Sequence, residues 1–334
     1  MLRTPTGFYR FAIVNPLTLI GKEIQSLLRE RHIPASNITL LDSTGKEAGT
    51  LTEVNEEASV VQQISEIEVA DADIIFFCGN AASNAAWIPH VRADALGIDL
   101  SQPTAMAMEG VAALAGVNTA RFESENLLIS PHPAAIPVAL IADRLRRVGN
   151  LDLCAATVVE PASEEDEAGV DELFHQTVNV LNMTPFPKEI FDRQLAFNLY
   201  PDATASSDEE YVIAQIREVL GATLPIAVTL VRGSVFHGHS ISLFVRFASD
   251  SNVETIASAL DQSVSIEVAA TDEPLGTLDA AGKDQILIGR IQKAADIPGA
   301  FWIWAISDNL RRASALNAVM LAEEAIARSG PPPS

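Results

Sequence analysis

Short apolar runs of strand length alternate with segments in which apolar residues recur at helical spacing through the first part of the chain. Phe8 to Val14 is apolar and β-prone, and Asn15-Pro16-Leu17-Thr18-Leu19-Ile20-Gly21 then leads into Lys22–Glu30. Ile20, Ile24, Leu27 and Leu28 fall on one stripe there, which predicts strand, loop and helix. Ile38–Leu41 predicts a second strand ending at Asp42, and Ala70–Phe77 a third, followed by a small-residue loop over 78–84 and a helix through Trp87 and His90. Leu96–Leu100 reads as a further strand, 105–117 as helical or irregular, and Leu127–Ser130 as a strand entering the helix Ala135–Arg147. Such alternation predicts an α/β class with a parallel sheet covered on both faces.

Near Gly149 the pattern changes, marking entry into a second domain. Longer β-rich runs appear over Asp152–Val159, Ile226–Arg232, His239–Phe247, Gln285–Arg290 and Phe301–Ile306. A charged loop is expected over 160–166, then an amphipathic helix Ala168–Leu181 with Val170, Leu173, Val178 and Leu181 inward. A second helix, with acids in its first turn, starts at Ser207 and runs to Leu220; Val253–Leu260 and Leu310–Arg328 complete the set. Along His239–Phe247, Ile241, Leu243, Val245 and Phe247 face one way and Ser240, Ser242 and Arg246 the other. Long antiparallel strands of this kind need a cover, and a second subunit is a common one.

Composition narrows the function classes. A chain of 334 residues accommodates two domains. A formal net charge of −22 repels a phosphate backbone and argues against nucleic acid as a partner. The longest apolar runs, such as Ile74–Cys78, are far too short to span a bilayer, and no signal-length apolar core follows Arg3, so a cytoplasmic protein without membrane contact is expected. Cys78 and Cys154 sit in apolar runs and read as reduced core residues. The histidines form no zinc-spaced cluster with them, so no metal is expected.

The turn over 130–134 is where chemistry would concentrate. A strand running into a helix presents a side chain at the sheet's carboxyl edge together with backbone N–H groups that favour negative charge. That combination suits a nucleophile and an oxyanion. Here the tip carries Pro133, with neither nucleophile nor N–H, then Ala134 and Ala135. The first loop is equally altered: of the glycines that let a backbone approach a pyrophosphate only Gly21 stands, while Asp42 occupies the strand end where an acid would take ribose hydroxyls.

The whole chain resembles the aspartate-β-semialdehyde dehydrogenases. The resemblance rests on Ala12–Gly21, on Phe197-Asn198-Leu199, on Arg232 with Gly238-His239-Ser240, and most specifically on Trp304-Ala305-Ile306-Ser307-Asp308-Asn309-Leu310-Arg311-Arg312-Ala313-Ser314-Ala315-Leu316-Asn317-Ala318-Val319. It implies an NAD(P)-binding, Rossmann-type doubly wound parallel sheet over 1–132, an α+β dimerisation and substrate domain over 133–310, and a C-terminal helix over 311–334 returning to the first domain. It also implies a homodimer. Carried over residue by residue, the nucleophilic cysteine falls on Pro133 and its asparagine neighbour on His132. The acid/base histidine falls on His239 and the carboxylate-binding arginine on Arg232. The glycines of the pyrophosphate loop fall on Asn15, Thr18 and Gly21, the phosphate-binding arginine near Ala105 or Met106, and the lysine of an E-x-x-K segment near Val212. Gly21, Asp42 and Asn309 are the remaining cofactor candidates, for NAD or NADP.

This combination is similar to the Usg-type paralogues of the family, which keep the fold and lack the thiol. It implies a non-catalytic dimer whose Arg232 either holds a small carboxylate or pairs with a neighbouring acid. The alternative is an enzyme, either an active dehydrogenase with a relocated nucleophile, at Cys78 or Ser130, or a reductase using His239 without covalent catalysis.

Overall fold

The computed structural model describes residues 8–54, 57–102, 110–118, 125–201, 205–221, 224–270 and 274–329. The chain divides into two compact units, one made of 1–132 with 314–334 and the other of 133–313.

The first unit is built on a seven-stranded sheet. In chain order it contains β1 (Tyr9–Val14), α1 (Leu19–Glu30), β2 (Ala35–Asp42), the hairpin β3 (Leu51–Val54) and β4 (Glu57–Val60), β5 (Gln62–Gln63), α2 (Glu66–Asp71), β6 (Ile74–Phe77), α3 (Ala81–Asn84), β7 (Leu96–Asp99), β8 (Val111–Ala112) and β9 (Leu127–Ile129). The main sheet runs β5-β2-β1-β6-β7-β9-β8, parallel throughout. Successive side chains on its central strands point to opposite faces, and both faces are apolar. Phe11, Ile13, Ile74 and Phe76 pack with Ile24 and Leu27 of α1 and with Val319 and Ala322 of the C-terminal helix, whereas Ala12, Val14, Ile75 and Phe77 pack with Val69 of α2 and Trp87. Chain order reverses between β1 and β6, so the carboxyl ends of those two strands are the switch point where doubly wound sheets hold ligands.

The second unit contains α4 (Ala135–Leu145), β10 (Leu151–Glu160), α5 (Asp166–Leu181), β11 (Leu199–Tyr200), α6 (Ala205–Leu220), β12 (Ile226–Gly233), β13 (His239–Phe247), α7 (Val253–Asp261), β14 (Ile266–Val268), α8 (Thr277–Ala280), β15 (Ile286–Lys293) and β16 (Ala300–Ser307). Its sheet runs β11-β12-β10-β13-β16-β15-β14 and is mixed. After a single π-helical turn over Arg311–Ala315, α9 (Leu316–Ser329) rejoins the first unit.

Four expectations need correction. The run expected as one strand over 70–77 is the end of α2 followed by β6, because Asp71 to Asp73 interrupt the apolar ladder. The charged loop over 160–166 is the last residue of β10, a 3-10 turn over Ala162–Glu165 and the first residue of α5. On α5, Leu173 is buried, but Val178 and Leu181 face solvent and the buried stripe is polar, comprising Glu172 and Gln176. Those two side chains hold a long irregular segment: Glu172 accepts from the N–H groups of Glu189, Ile190 and Phe191, and Gln176 from those of Leu195 and Ala196. The C-terminal helix does not start regularly at Leu310, since Asp308 first caps a wider turn by accepting from the N–H groups of Leu310 and Arg311.

Candidate functional site

Two polar regions stand at strand ends, one in each unit. At the switch point of the parallel sheet, Asn15 adopts φ +54°, the left-handed conformation in which asparagine is the best substitute for glycine. Its side-chain amide donates to the Cys78 carbonyl (2.8 Å) and to Asn84 Oδ1 (3.2 Å), and its oxygen accepts from Ser43 N (3.1 Å) and Ser43 Oγ (3.0 Å). Asn84, fully buried, also donates to the Cys78 carbonyl, and Ser43 Oγ reaches Ser83 Oγ. The loops after β1, β2 and β6 are thus tied together by their own side chains.

The start of α1 is closed in the same way. Thr18 caps the helix by accepting from Gly21 N (3.1 Å). Gly21 is there for packing: a Cβ on it would stand 2.7 Å from the Asn15 carbonyl oxygen and 2.8 Å from that of Pro16. Asp42 is fully buried, and both of its oxygens are in use. Oδ1 accepts from Thr44 N and Thr44 Oγ1, and Oδ2 from Glu47 N and Ala48 N, each between 2.7 and 3.0 Å. Burial works to raise its carboxyl, but these bonds outweigh it and hold the group below its ordinary range. An acid so engaged has no lone pair to offer a ribose. A dinucleotide would find the switch point filled by Asn15, the helix start capped by Thr18 and the strand-end acid committed, so these residues do not fit that group. The positions near Ala105 and Met106 lie outside the described residues; Val212 is a buried core residue of α6.

The turn between β9 and α4 is largely buried, with His132 half-buried. Ala134 and Ala135 are buried, and α4 carries a further proline at Pro137, which removes another N–H from its first turn. Ser130 accepts from Asn317 Nδ2 (2.9 Å) and is a structural hydroxyl, while Cys78 belongs to the core cluster of the parallel sheet. Cys154 is also buried, and burial pushes its thiol up to about 12.

The second region ends the buried face of the mixed sheet. Three apolar rows cross it: Ile226-Cys154-Val245-Phe301, Val228-Ala156-Leu243-Ile303 and Leu230-Val158-Ile241-Ala305. Beyond them Arg232 pairs with Glu160 and His239 with Ser307, on the same face by the two-residue period. His239 is fully buried, and its Nε2 lies 3.0 Å from Glu164 Oε1 without the alignment of a hydrogen bond. Arg232 is bonded to the Glu165 carboxylate and stands 6.0 Å from the Phe191 ring centre. Its guanidinium is therefore paired with an acid through Nη2.

Asn309 lies in this region, with its amide wholly engaged. It donates to Ser163 Oγ (3.0 Å) and Glu164 Oε1 (2.9 Å) and accepts from Gly238 N (2.8 Å). It is a brace between the chain after β16, the 3-10 turn and the residue before β13. Glu160 was not anticipated from sequence. Only the cross-strand register reveals it, as an acid falling on the inward parity of β10.

The comparisons agree with this architecture. Residues 17–125 match the family described as "Semialdehyde dehydrogenase, NAD binding domain" and residues 155–312 that described as "Semialdehyde dehydrogenase, dimerisation domain". A USG-1 protein homolog of Azotobacter vinelandii is 31% identical over 323 residues, covering 93% of this chain and 96% of that protein. The chain belongs to the semialdehyde dehydrogenase family. Within it, an aspartate-semialdehyde dehydrogenase of Rickettsia bellii is 25% identical, covering 96% of this chain and 98% of its own length. The crystal structure of aspartate semialdehyde dehydrogenase II from Vibrio cholerae superposes with a TM-score of 0.89 at 25% identity, covering 96% of this chain and 99% of that one. Semialdehyde dehydrogenase relatives and solved structure alike support the doubly wound parallel sheet joined to an α+β domain.

Proposed function

We propose that this chain is a semialdehyde dehydrogenase-like protein without thiol-dependent dehydrogenase activity, acting as a homodimeric ligand-binding or scaffold protein. The observation that carries the reading is the start of α4, where Pro133, Ala134 and Ala135 supply neither thiol nor hydroxyl. Covalent acyl transfer needs a nucleophile whose base and oxyanion donors are already in place. Among the described residues the only thiols are Cys78 and Cys154, both buried. Loss of NAD(P) binding belongs to the same reading, because the switch-point loops satisfy one another.

A homodimer is supported by the matched dimerisation domain and by the outward face of the mixed sheet. There Trp302 is 48% exposed and packs edge-on against Phe244 at 5.0 Å between ring centres. The test is an assay of the purified protein with aspartate semialdehyde, phosphate and NADP. No NADPH above background and no acyl adduct by mass spectrometry are expected; sustained NADPH formation overturns the reading.

A further inference from the structure

Most of the described arginines are held by an acid, an amide or a ring, as Arg31 is by Glu323 and Arg311 by Asp284. Two without such a partner, Arg29 and Arg217, are exposed, so water serves them. Arg144, in the last turn of α4, differs from both groups. It is half-buried, yet no described residue gives its guanidinium a hydrogen bond, an ion pair or a ring contact. Five donors drawn partly out of water without an acceptor call for one.

Arg144 lines an open groove of about 600 Å³ between the end of α4 and one stripe of α7. Ile256 and Leu260 turn the apolar side of α7 inward, so Glu254, Thr255, Ser258, Ala259 and Gln262, at helical spacing, line the groove with its other side. Arg147 and Val148 join Arg144 on the α4 side, and Arg147 donates one nitrogen to the buried Asp143 (2.9 Å). We propose that this groove binds a compact phosphoryl anion, held by Arg144 and Arg147 with the hydroxyls of Thr255 and Ser258 beside them. The site is independent of the reading above: from Ala135 to Arg144 the chain runs nine residues of helix, about 14 Å, away from the turn at Pro133.

The guanidiniums of Arg144, Arg146 and Arg147 stand together with one buried carboxylate, Asp143, a local excess of positive charge in a chain of formal net charge −22. At about 0.15 M salt, charges more than about 8 Å away are largely screened, so the local excess decides what the groove attracts. The negative end of α4 favours basic residues in its last turn, but exposed ones suffice for that; it does not account for a half-buried guanidinium sharing a groove with the hydroxyls of a second helix. A guanidinium fork matches the paired oxygens of a phosphoryl group, and hydroxyls and amides supply further donors. Val148 and Ala259 are the apolar lining residues, which leaves an apolar ligand little surface to bury. Glu254 is the one acid among the described lining residues, and it works against any anion.

The test is calorimetric titration of the full chain with pyrophosphate and, separately, with succinate, at about 0.15 M salt. Pyrophosphate is expected to bind at least about fivefold more tightly than succinate. Arg144→Gln is expected to weaken pyrophosphate by at least about tenfold, and Glu254→Gln to tighten it by about two- to threefold. Arg29→Gln, an exposed arginine of the first unit, is expected to leave the affinity unchanged. Glu254→Gln carries the test should Arg144→Gln fail to fold, because a gain in affinity cannot come from lost structure. Absence of pyrophosphate binding, an affinity unmoved by either groove variant, an equal loss in Arg29→Gln, or equal binding of succinate each overturns the proposal. NADPH formation would overturn the non-catalytic reading and leave this groove untouched, so the two failures have different readouts.

Discussion

Both strand-end regions carry buried polar side chains, and they differ in how these are satisfied. At the switch point of the parallel sheet, Asn15, Ser43, Asn84 and Asp42 meet one another or their own loops, and their hydrogen-bonding capacity is used within the protein. At the end of the mixed sheet, both ring nitrogens of the buried His239 lack a hydrogen-bond partner and Glu160 is surrounded by like charge. A region that satisfies itself stabilises the fold and leaves nothing for a ligand; a region left short destabilises the fold until something arrives. The contrast makes the second unit the place to look for a ligand. It also predicts opposite signs for substitutions in the two regions.

The largest effect is expected at Asn84. Asn84→Leu removes a donor from the Cys78 carbonyl and an acceptor from both Asn15 and Ser43, all in a buried setting. Leaving such groups unmet costs about 2–4 kcal/mol in total, read as a fall in the urea midpoint. Asn15→Gly keeps the left-handed backbone conformation and deletes the cross-ties, so about 2 kcal/mol is expected. Less than about 0.5 kcal/mol for either would mean that the switch point is not closed by this network, and the comparison would break.

Glu160→Gln is expected to act in the other direction. An unfolded glutamate ionises near 4.5, whereas the folded group keeps its proton to about 8, so the folded state binds more protons across that window. Stability therefore falls as pH rises from the lower value to the upper one. A glutamine removes this pH dependence but buries an amide at every pH, so its stability relative to the unmodified chain is expected to rise by about 2–4 kcal/mol between about pH 4 and about pH 8, ending as a net gain. Urea midpoints at the two pH values check it; a loss of stability at pH 8 would place Glu160 among the self-satisfied acids.

Much of this was legible in the sequence. Periods of two and of three to four located the central strands and most long helices, and Trp304 to Val319 carried the family resemblance. What escaped is what local pattern cannot encode. Val178 and Leu181 keep helical spacing yet face solvent, because the inward stripe of α5 is used by Glu172 and Gln176 to hold an irregular segment. Asp42 stands where a ribose acid is expected, and only the direction of its carboxylate, into its own loop, assigns it elsewhere. Glu160 followed an apolar run and read as the start of a charged loop; its burial follows from register with Arg232 across β12, which depends on residues far along the chain. Asn309 lay within the most specific block, but its engagement with Ser163, Glu164 and Gly238 is a tertiary fact.

The smallest expected effect is the most discriminating. Pro133→Cys places a thiol at the start of α4, where the aligned N–H groups of the helix lower a thiol's pKa. If the missing nucleophile were the sole defect, this change would restore turnover with aspartate semialdehyde. The closed switch point argues otherwise, because hydride needs an acceptor and the residues of that region are committed to one another. The variant is expected to give no NADPH above background and to change stability by less than about 1 kcal/mol, since a buried proline is exchanged for a small apolar side chain. Its thiol, tested with iodoacetamide, reports separately on access. Turnover in Pro133→Cys alone would show that the first unit still accepts a dinucleotide despite Asn15, and the distinction between a closed and an open region would fail at its closed end.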